Sequence, residues 1–432
     1  MSINIYSRPV SNQSGVQDQR VHGLYDMFWT CKSSLFSNEN FRYIFSLTDK
    51  NGQQLQTKTI PYTDGTGVFN SSQLTKNLLN YTFQPTIINT NYQTCNADIA
   101  NFQVSVREYD TTNGYGALVD MTSGTTIRCK DENFNFQNFL LSSSRSRFLT
   151  NFNSDLTVYP NQQQTVRFLN GTFNTSYNSN YHSSAPILFV YVYSKIGALR
   201  VFVLGNPYYQ IAPTNYPYNG SSSIRDYGEW LLEIGVGPYN LNKSQKLELV
   251  GNSFVVRNGV TIIDDNTSYY TIGFKNSLLF GYYTSEVLRF DMGCLNDEYN
   301  YIQFAWENIY GATDYYTATL FNKESYSSEK TNFYKYRYKL TNSYMNKINY
   351  SGGEETIKSN ITKGYSVITD YLTETQCKEL AYMWVSENVM ANIDGTWYRI
   401  QLDDSDIVIG NNQGNGLNQY EINFHLSNKI IF

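Results

Sequence analysis

The stretch ILFVYVYSKIGALRVFVLG, residues Ile187 to Gly205, is apolar enough to suggest either a membrane-spanning helix or strands of a β-sheet. It is the most apolar part of the chain, but Lys195 and Arg200 interrupt it. A spanning helix needs about 20 consecutive, mostly apolar residues, and charges inside it are costly. The runs on either side of Ser-Lys-Ile-Gly are rich in β-branched and aromatic residues, which favour strands. The stretch therefore predicts a β-hairpin that does not cross a membrane.

The same strand signal recurs along the whole chain. Short runs of Val, Ile, Phe, Tyr and Thr are separated by clusters of Asn, Gly, Asp and Ser, which is typical of all-β proteins. Phe41–Leu47 is one such run, and Asn51-Gly52 after it indicates a hairpin turn. We predict a mainly all-β fold of tandem β-sandwich-like domains. The predicted segments are an N-terminal domain (1–132), a polar linker or extended arm (133–164), a middle β domain (165–284) and a C-terminal β-sandwich domain (285–432).

One helix is predicted, over about 374–388 in the C-terminal domain. Thr373 and Gln376 have the spacing of a capping box, in which each side chain bonds the other residue's backbone N–H. Apolar residues follow at helical spacing: Cys377, Leu380, Ala381, Trp384 and Val385. We expect this stripe, including Trp384, to face a sheet and to close one side of the last domain.

The surface is expected to be polar but weakly charged. Charged residues make up 16% of the chain and aromatic residues another 16%, with 39 tyrosines. The formal net charge of −5 argues against a positive field that would attract nucleic acid. Tyr and Asn suit strands, turns and adaptable contact surfaces, so the composition fits a plain Tyr-rich β protein and a Tyr-based binding surface equally well.

The cysteines predict reduced, structural thiols. They are far apart and odd in number, and no Cys-x-x-Cys pair occurs, so neither a zinc site nor a disulfide framework is indicated. The positions are Cys31, Cys95, Cys129, Cys294 and Cys377. The sequence MSINIYSRPVSNQSG at the N-terminus lacks the basic start and apolar segment of a secretory signal. Both observations favour folding in a cytoplasm.

A search for catalytic patterns finds no enzyme signature. The histidines are His22, His182 and His425, none near another His or Cys in sequence. No G-x-S-x-G nucleophile elbow occurs. A Ser-His-Asp or Cys-His site could still assemble in space, but a plain strand residue is the favoured interpretation of His425. We therefore predict no catalytic residue and a protein that is not an enzyme.

Acidic and glycine-rich motifs favour turns over binding sites. Asp264-Asp265 and the run from Asp403 to Asp406 lie where turns are expected. The second group could bind Ca²⁺, but it lacks the twelve-residue loop pattern. Asp64-Gly65-Thr66-Gly67 lacks the Lys-Ser/Thr of a phosphate loop. We predict no metal and no cofactor.

One segment has a composition suited to single-stranded nucleic acid. Lys335-Tyr-Arg-Tyr-Lys339 interleaves basic and aromatic side chains, which can stack on bases. It also alternates with period two, and the whole chain is acidic. A strand with one aromatic face is favoured, and no nucleic-acid partner is expected.

The stretch FAWENIYGATDYYTATLF, residues Phe304 to Phe321, concentrates Trp306, Asn308, Gly311 and Asp314 within nine positions. These residues suggest either a catalytic corner or a structural turn. No histidine, nucleophile or second carboxylate pattern accompanies them, so a turn between two strands is favoured. Gly311 would supply a backbone angle that other residues resist, and Trp306 would anchor the core of the last domain.

Three segments together resemble large virion proteins encoded by tailed bacteriophages and prophages of Bacteroidetes hosts. The first contains Phe41–Leu47 and IPYTDGTGVFNSSQL from Ile60, and the second contains FDMGC from Phe290 and the Phe304 stretch. The third runs from Leu372 through Trp384 to TrpTyrArgIle at Trp397. The resemblance covers the first and last predicted domains and leaves Asn133 to Phe280 uncovered. That group tends to have a second glycine after Gly311, where this chain has Ala312.

The resemblance implies a chain of β-sandwich modules in the tail, neck or baseplate of a virion, without catalytic residues. Its partners would be further copies of itself and other virion proteins, in an oligomeric ring or connector. The polar stretch with Asn133, Phe136 and Phe139 would be an arm that becomes ordered on a neighbouring subunit. Two alternatives remain open: a receptor- or carbohydrate-binding β protein, with Trp29, Trp230 and Trp397 available for stacking on a host glycan, and a jelly-roll capsid subunit.

Overall fold

The computed structural model shows an all-β, multi-sheet protein, which confirms the predicted fold class. It divides into two units: the first comprises Met1–Gly293 and Glu307–Asp314, and the second comprises Cys294–Trp306 and Tyr315–Phe432. The structure describes residues 3–7, 20–22, 27–34, 41–49, 52–76, 79, 93–95, 99–110, 114–130, 147–152, 155–169, 187–204, 231–243, 246–251, 253–257, 260–275, 285–294, 301–320, 322–335, 338–341, 344–347, 353–403, 417–427 and 430–431.

The described residues of the N-terminal part of the first unit form ten strands and one short helix. The strands are β1 (Ile3–Ser7), β2 (Arg20–His22), β3 (Phe28–Ser33), β4 (Arg42–Asp49), β5 (Gln54–Thr59), β6 (Thr66–Asn70), β7 (Gln93–Thr94), β8 (Ile99–Asp110), β9 (Gly114–Tyr115) and β10 (Val119–Ile127). Helix α1 spans Ser72–Lys76. The hairpin predicted around Asn51-Gly52 is formed by β4 and β5, with Gly52 at φ 80°.

Two sheets of this part enclose one core. The first has the order β1-β3-β6, and the second has the order β2-β10-β8-β4-β5, with β9 paired to β8. Trp29 and Phe69 of the first sheet share a hydrophobic cluster with Phe45 and Phe102 of the second. The alternation in Phe41–Leu47 places Tyr43, Phe45 and Leu47 on the face that builds this cluster. The arrangement is that of a β-sandwich.

In the middle part of the first unit, the residues that the structure describes form nine strands and one helix. The strands are β11 (Leu156–Val158), β12 (Thr165–Leu169), β13 (Ile187–Ser194), β14 (Leu199–Leu204), β15 (Leu231–Gly235), β16 (Lys246–Val250), β17 (Ser253–Arg257), β18 (Thr267–Lys275) and β19 (Leu288–Met292). Helix α2 spans Pro238–Lys243. The sheet orders are β11-β19-β18-β13-β14-β16-β17 and β12-β15-β7. Residues from both sheets share one core, including Phe168, Leu232, Val190 and Tyr270.

The apolar stretch from Ile187 forms the predicted hairpin. Strands β13 and β14 pair antiparallel from Leu188↔Leu204 to Tyr193↔Leu199. Gly197 lies at φ 84° in the turn, a conformation that glycine adopts readily. The described residues contain no helix with the length and apolar character needed to cross a membrane.

Two predicted boundaries are corrected by the structure. Residues 147–152 and 155–164 were expected to belong to a linker, but Phe148 and Val158 lie fully buried in the middle core. These two stretches contain few apolar side chains among many Asn, Ser and Gln residues. Their composition therefore does not indicate that they contribute to a hydrophobic core. Strand β19, expected in the C-terminal domain, pairs with β18 and β11 of the middle sheet. The remainder of the predicted arm, with Asn133, Phe136 and Phe139, lies outside the described residues.

The second unit is built on the C-terminal strands. They are β20 (Ile302–Glu307), β21 (Thr313–Ala318), β22 (Asn322–Lys335), β23 (Tyr338–Thr341), β24 (Tyr344–Lys347), β25 (Gly353–Ile368), β26 (Leu372–Thr373), β27 (Val389–Ile393), β28 (Thr396–Leu402), β29 (Leu417–Asn418), β30 (Glu421–Leu426) and β31 (Ile430–Ile431). Helix α3 spans Glu374–Val385. The main sheet has the order β21-β20-β27-β28-β30-β25-β22, with β31 paired to β25, while β23-β24 and β26-β29 form separate pairs.

Helix α3 begins where the capping box indicates. The Thr373 hydroxyl accepts a hydrogen bond from the Gln376 backbone N–H (3.3 Å), and the Gln376 side chain accepts one from the Thr373 backbone N–H (3.0 Å). Cys377, Leu380 and Met383 are buried. The expected stripe is narrower at its end, because Trp384 is half-buried and Val385 is exposed.

Strands β22 and β25 form a long two-stranded ribbon, here called the β22–β25 ribbon. They pair antiparallel from Asn322↔Val367 to Lys335↔Gly353. Strand β30 covers only the base of β25, from Gly364 to Ile368. Beyond that base the ribbon continues for about 35 Å at the usual rise per residue.

Candidate functional site

The residues singled out in the Phe304 stretch lie at a sharp turn, Glu307–Asp314, which belongs to the first unit. The Asn308 backbone N–H donates to the Ala312 carbonyl (2.9 Å), and the Gly311 N–H donates to the Asn308 carbonyl (3.0 Å). Glu307, Asn308 and Asp314 are each no more than 2% exposed. A buried polar group is costly unless it is hydrogen-bonded, so the partners of these side chains decide what the turn can do.

The Asn308 side chain organises the turn from within. Its Oδ1 accepts hydrogen bonds from the backbone N–H groups of Tyr310 and Ala312, both at 3.0 Å. Its Nδ2 donates to the Leu149 carbonyl (3.0 Å). An asparagine suits this place because its short amide can both accept from and donate to nearby backbone.

Gly311 is required at its position for two reasons. Its φ is 74°, in the region that residues with a Cβ rarely adopt. A Cβ added there would lie 1.7 Å from the Arg128 carbonyl oxygen, and that obstacle is backbone. Any side chain at residue 311 therefore forces the turn away from the strand end at Arg128.

Two arginines bind the turn to the rest of the first unit. The Arg128 guanidinium forms a two-pronged ion pair with the Glu307 carboxylate, and its Nη2–Oε2 distance is 3.1 Å. Arg167 donates to the Gly311 carbonyl (2.8 Å) and to Glu233 Oε2 (3.0 Å). Paired guanidinium and carboxylate groups of this kind give the strong, charge-assisted hydrogen bonds.

Asp314 closes the other end of the turn. Its Oδ1 accepts from the Thr150 hydroxyl (2.6 Å), and its Oδ2 accepts from the Asn151 backbone N–H (3.0 Å). Thr150 and Asn151 come from the stretch that the sequence suggested was a linker. The carboxylates of Glu307 and Asp314 are thus both engaged and shielded from solvent. The arrangement stabilises the backbone conformation of the turn.

The other sequence-predicted motifs form local hydrogen bonds. Asp64 accepts from the Thr66 backbone N–H (3.0 Å) and hydroxyl (2.8 Å), which lower the pKa of its carboxyl. Asp264 accepts from the backbone N–H of Asn266 (3.0 Å). Both arrangements are ordinary aspartate turns.

His425 lies at the surface of the second unit. Its ring nitrogens are 2.8 Å from Asp403 Oδ1 and 3.0 Å from Gln401 Oε1. Asp404 and Asp406 lie outside the described residues. Among the residues that are described, no group of three or more His, Cys, Asp or Glu side chains could hold a metal ion.

One buried charge was not anticipated from the sequence. Lys246 is fully buried, and its ammonium donates to the carbonyls of Leu241 (2.8 Å) and Asn242 (3.1 Å) at the end of α2. A lysine at a helix C-terminus satisfies carbonyls that have no partner within the helix. Burial, with a contribution from Arg200, lowers the pKa of this ammonium from 10.5 to about 8. In the sequence, Lys246 occupies a strand position where a surface lysine would be ordinary. Nothing in the sequence therefore predicts that it is buried against the end of α2.

The tryptophans considered for sugar stacking differ in accessibility. Trp29 is 0% exposed, and its Nε1 donates to the Ser71 hydroxyl (2.9 Å), so it is a core residue. Trp397 is half-buried and lies edge-on to Tyr315. Trp230 lies outside the described residues, and Trp306 is 0% exposed. Stacking on Trp29 is therefore ruled out in this conformation.

Comparison with protein-family models and with curated protein sequences finds no match for this chain.

Proposed function

We propose that this protein is a non-enzymatic structural component of a tailed-bacteriophage virion, in its tail, neck or baseplate, and that it assembles into an oligomer. The main support for the proposal is that the polar side chains of the Glu307–Asp314 turn are hydrogen-bonded to other residues of the same unit. This turn lies in a segment that resembles virion proteins, and Glu307, Asn308 and Asp314 are bonded within the first unit. Residues that looked like a catalytic corner serve the fold.

The outer surface supports the assembly part of the proposal. The β22–β25 ribbon exposes Tyr326, Phe333, Tyr334 and Ile357, each at least 41% accessible. Aromatic residues are enriched in protein–protein contacts, where Tyr adds contact area at low entropic cost. A protein made in the host cytoplasm and released by lysis would gain from such contacts in the assembled virion.

The test is to purify phage particles from a host that carries the gene and to analyse them by mass spectrometry and electron microscopy. We expect the protein in the particle at a fixed copy number, at the tail, neck or baseplate. Particles that lack it, combined with a strictly monomeric purified protein, would refute the proposal. Density in the shell would instead favour the jelly-roll capsid alternative.

A second candidate, binding of a host glycan, is favoured by one surface cluster of the first unit. The rings of Tyr193 and Tyr269 stack with centroids 4.4 Å apart, and the Arg289 guanidinium lies 4.1 Å from the Tyr269 centroid. Aromatic rings beside a polar, charged group can stack on sugar rings and bond their hydroxyls. A glycan array with the wild type and Tyr269→Ala tests this function. A ligand lost in the variant supports it, and no ligand for the wild type removes it.

A further inference from the structure

The β22–β25 ribbon has the features of an assembly arm. Every described side chain of β22, from Lys323 to Lys335, is exposed. Two ion pairs lie across the ribbon, Lys363–Glu324 at 3.0 Å and Lys335–Glu355 at 3.2 Å. Exposed ion pairs contribute little stability, and an isolated two-stranded hairpin is marginal in water. Beyond the base, strand β31 pairs with β25 at Asn360 and Ile361, and farther out the described residues give the ribbon no further sheet partner.

The outer edge of β22 is suited to accept another strand. Within the described residues β22 pairs only with β25, so the N–H and C=O groups of its other edge point outward. The irregularity in the ribbon lies between Thr331 and Asn332, where β25 contributes the extra residue, Ile357. Strand β22 itself is regular and contains no proline. Bulges, prolines and lysines are the usual protection of exposed edges. Strand β22 has neither a bulge nor a proline, but it carries Lys323, Lys330 and Lys335.

We propose that β22 pairs antiparallel with β22 of a second copy of this chain, about a twofold axis at Ser328. This inference rests on the proposed function only in that both require self-association. In an antiparallel pair, residues directly opposite each other have their side chains on the same face of the sheet. When a twofold axis normal to the sheet relates the two strands, this condition is met only if one residue lies opposite its own copy at the axis. The paired ribbons would form a four-stranded sheet, which exceeds the three strands needed for independent stability.

The length of paired strand and the contacts between opposed side chains favour Ser328 as the centre. In this register Lys330 lies opposite Tyr326 of the second copy, and Lys323 lies opposite Phe333. Both pairs place an ammonium beside an aromatic ring, and the symmetry doubles each. Glu324 lies opposite Asn332, so its carboxylate faces an amide. No two like charges lie opposite each other, which is the condition for a stable cross-strand pair.

Neighbouring registers are poorer. A centre at Glu329 places that carboxylate opposite its own copy and Lys323 opposite Lys335, and a centre at Lys330 places two ammonium groups together. A centre at Ser327 places Glu324 opposite Lys330, but it forms neither ammonium–aromatic pair and leaves Phe333, Tyr334 and Lys335 without an opposite residue in the partner strand. The Ser328 register pairs the strand from Asn322 to Tyr334.

Disulfide trapping tests the register. In the full-length protein with Cys294→Ser, which removes the exposed thiol, Ser328→Cys should yield a covalent dimer on mild oxidation. Opposed residues in an antiparallel pair are about 4.5–5.5 Å apart at Cα, within disulfide range. Glu324→Cys and Asn332→Cys should each give no covalent dimer alone, and a mixture of the two should cross-link. Gln54→Cys, on the exposed edge strand β5, is the matched control and should not cross-link.

A charge swap tests the pairing in solution. Ser328→Arg and Ser328→Asp each place like charges at the twofold axis and should weaken dimerisation at least about tenfold in sedimentation experiments. Mixing the two variants should restore a heterodimer, which misfolded variants would not do. Failure of Ser328→Cys to cross-link, or unchanged association of both charge variants, would overturn the inference. If the protein is nevertheless found in virions, the proposed function stands; if the dimer forms but virions lack the protein, only the proposed function fails.

Discussion

The Glu307–Asp314 turn and the β22–β25 ribbon use the same kinds of polar residue in opposite ways. In the turn, Glu307 and Asp314 are almost fully buried and bonded to groups far away in the sequence. In the ribbon, Glu324 and Lys363 are partly exposed and bond each other across two neighbouring strands. A polar group excluded from water must be matched within the fold, whereas an exposed one stays available to a partner. Burial, and not residue type, distinguishes the polar residues of the turn from those of the ribbon.

The largest expected effect is that of Gly311→Ala in the turn. The new Cβ would occupy a left-handed backbone conformation and collide with the Arg128 carbonyl. We expect loss of soluble protein or destabilisation by more than about 4 kcal/mol, since backbone strain and a backbone clash add. Urea unfolding followed by tryptophan fluorescence measures it.

The matched control is Gly364→Ala in the ribbon. Its added Cβ would lie 2.9 Å from the Ser325 hydroxyl, which can rotate away, and 3.6 Å from the Phe424 carbonyl oxygen, an ordinary van der Waals contact. We expect a change within about 1 kcal/mol. Equal costs for the two glycine variants would show that the turn is not the constrained region.

Glu307→Ala should rank next. It would leave the Arg128 guanidinium, on a side chain that is 13% exposed, without the Glu307 carboxylate. Breaking a buried pair from one side costs about 3–5 kcal/mol. Glu324→Ala, which breaks the exposed ribbon pair, should cost no more than about 1 kcal/mol. A cycle with Arg128→Ala isolates the pair energy, and a coupling near zero would contradict our account of the turn.

Two lysines extend the comparison to pH. The pKa of buried Lys246 is lowered to about 8, whereas hydrogen bonds from Lys363 to Tyr365 and Glu324 raise the pKa of that ribbon lysine. Between pH 8 and 10.5 the unfolded chain holds a proton on Lys246 that the folded chain has released. The Lys246 contribution to stability therefore rises with pH across this window, by about 1–3 kcal/mol.

The measurement is the free energy of unfolding against pH for the wild type and Lys246→Met. The variant loses two hydrogen bonds to α2 at every pH, so its slope relative to the wild type is the informative quantity. We expect the stability difference in favour of the wild type to grow from pH 8 to pH 10. Parallel curves would show that Lys246 titrates normally.

The smallest effect is expected for Tyr326→Ala. The Tyr326 side chain is 64% exposed and donates to the Glu324 carboxylate at the ribbon surface. We expect no measurable loss of monomer stability in dilute solution but weaker self-association at high concentration. Thermal unfolding and sedimentation on the same samples separate the two. A destabilised monomer would show that the ribbon is part of a core.

The sequence predicts the local elements of this fold well. Alternation located β4, and a run rich in β-branched and aromatic residues located β13. Turn residues located the hairpins that follow them, and the spacing of Thr373 and Gln376 located the start of α3. These signals depend on residues within a few positions of one another, where backbone geometry and side-chain chemistry act directly.

Only part of the candidate site could be predicted from the sequence. Gly311 and Asn308 indicate a turn, but the groups that hold it do not stand out. Arg128 lies 179 residues from Glu307, and Thr150 lies 164 residues from Asp314. Such pairs form only when the tertiary fold brings distant residues together. The sequence around an arginine or threonine in a polar stretch does not indicate which residue it will bond. For the same reason, the packing of Phe148 and Val158 was hidden within an apparent linker.

The division of the chain has a consequence for its synthesis. The first unit is not continuous, because it needs Glu307–Asp314, which follow part of the second unit along the chain. While a ribosome has made only the first 293 residues, Arg128 is without the Glu307 carboxylate and Arg167 without the Gly311 carbonyl. Vectorial folding of the first unit can therefore begin early but reach its final state only after residue 314 has left the exit tunnel. A pause before that point would prolong a state with incompletely paired arginines, open to rescue or capture by chaperones.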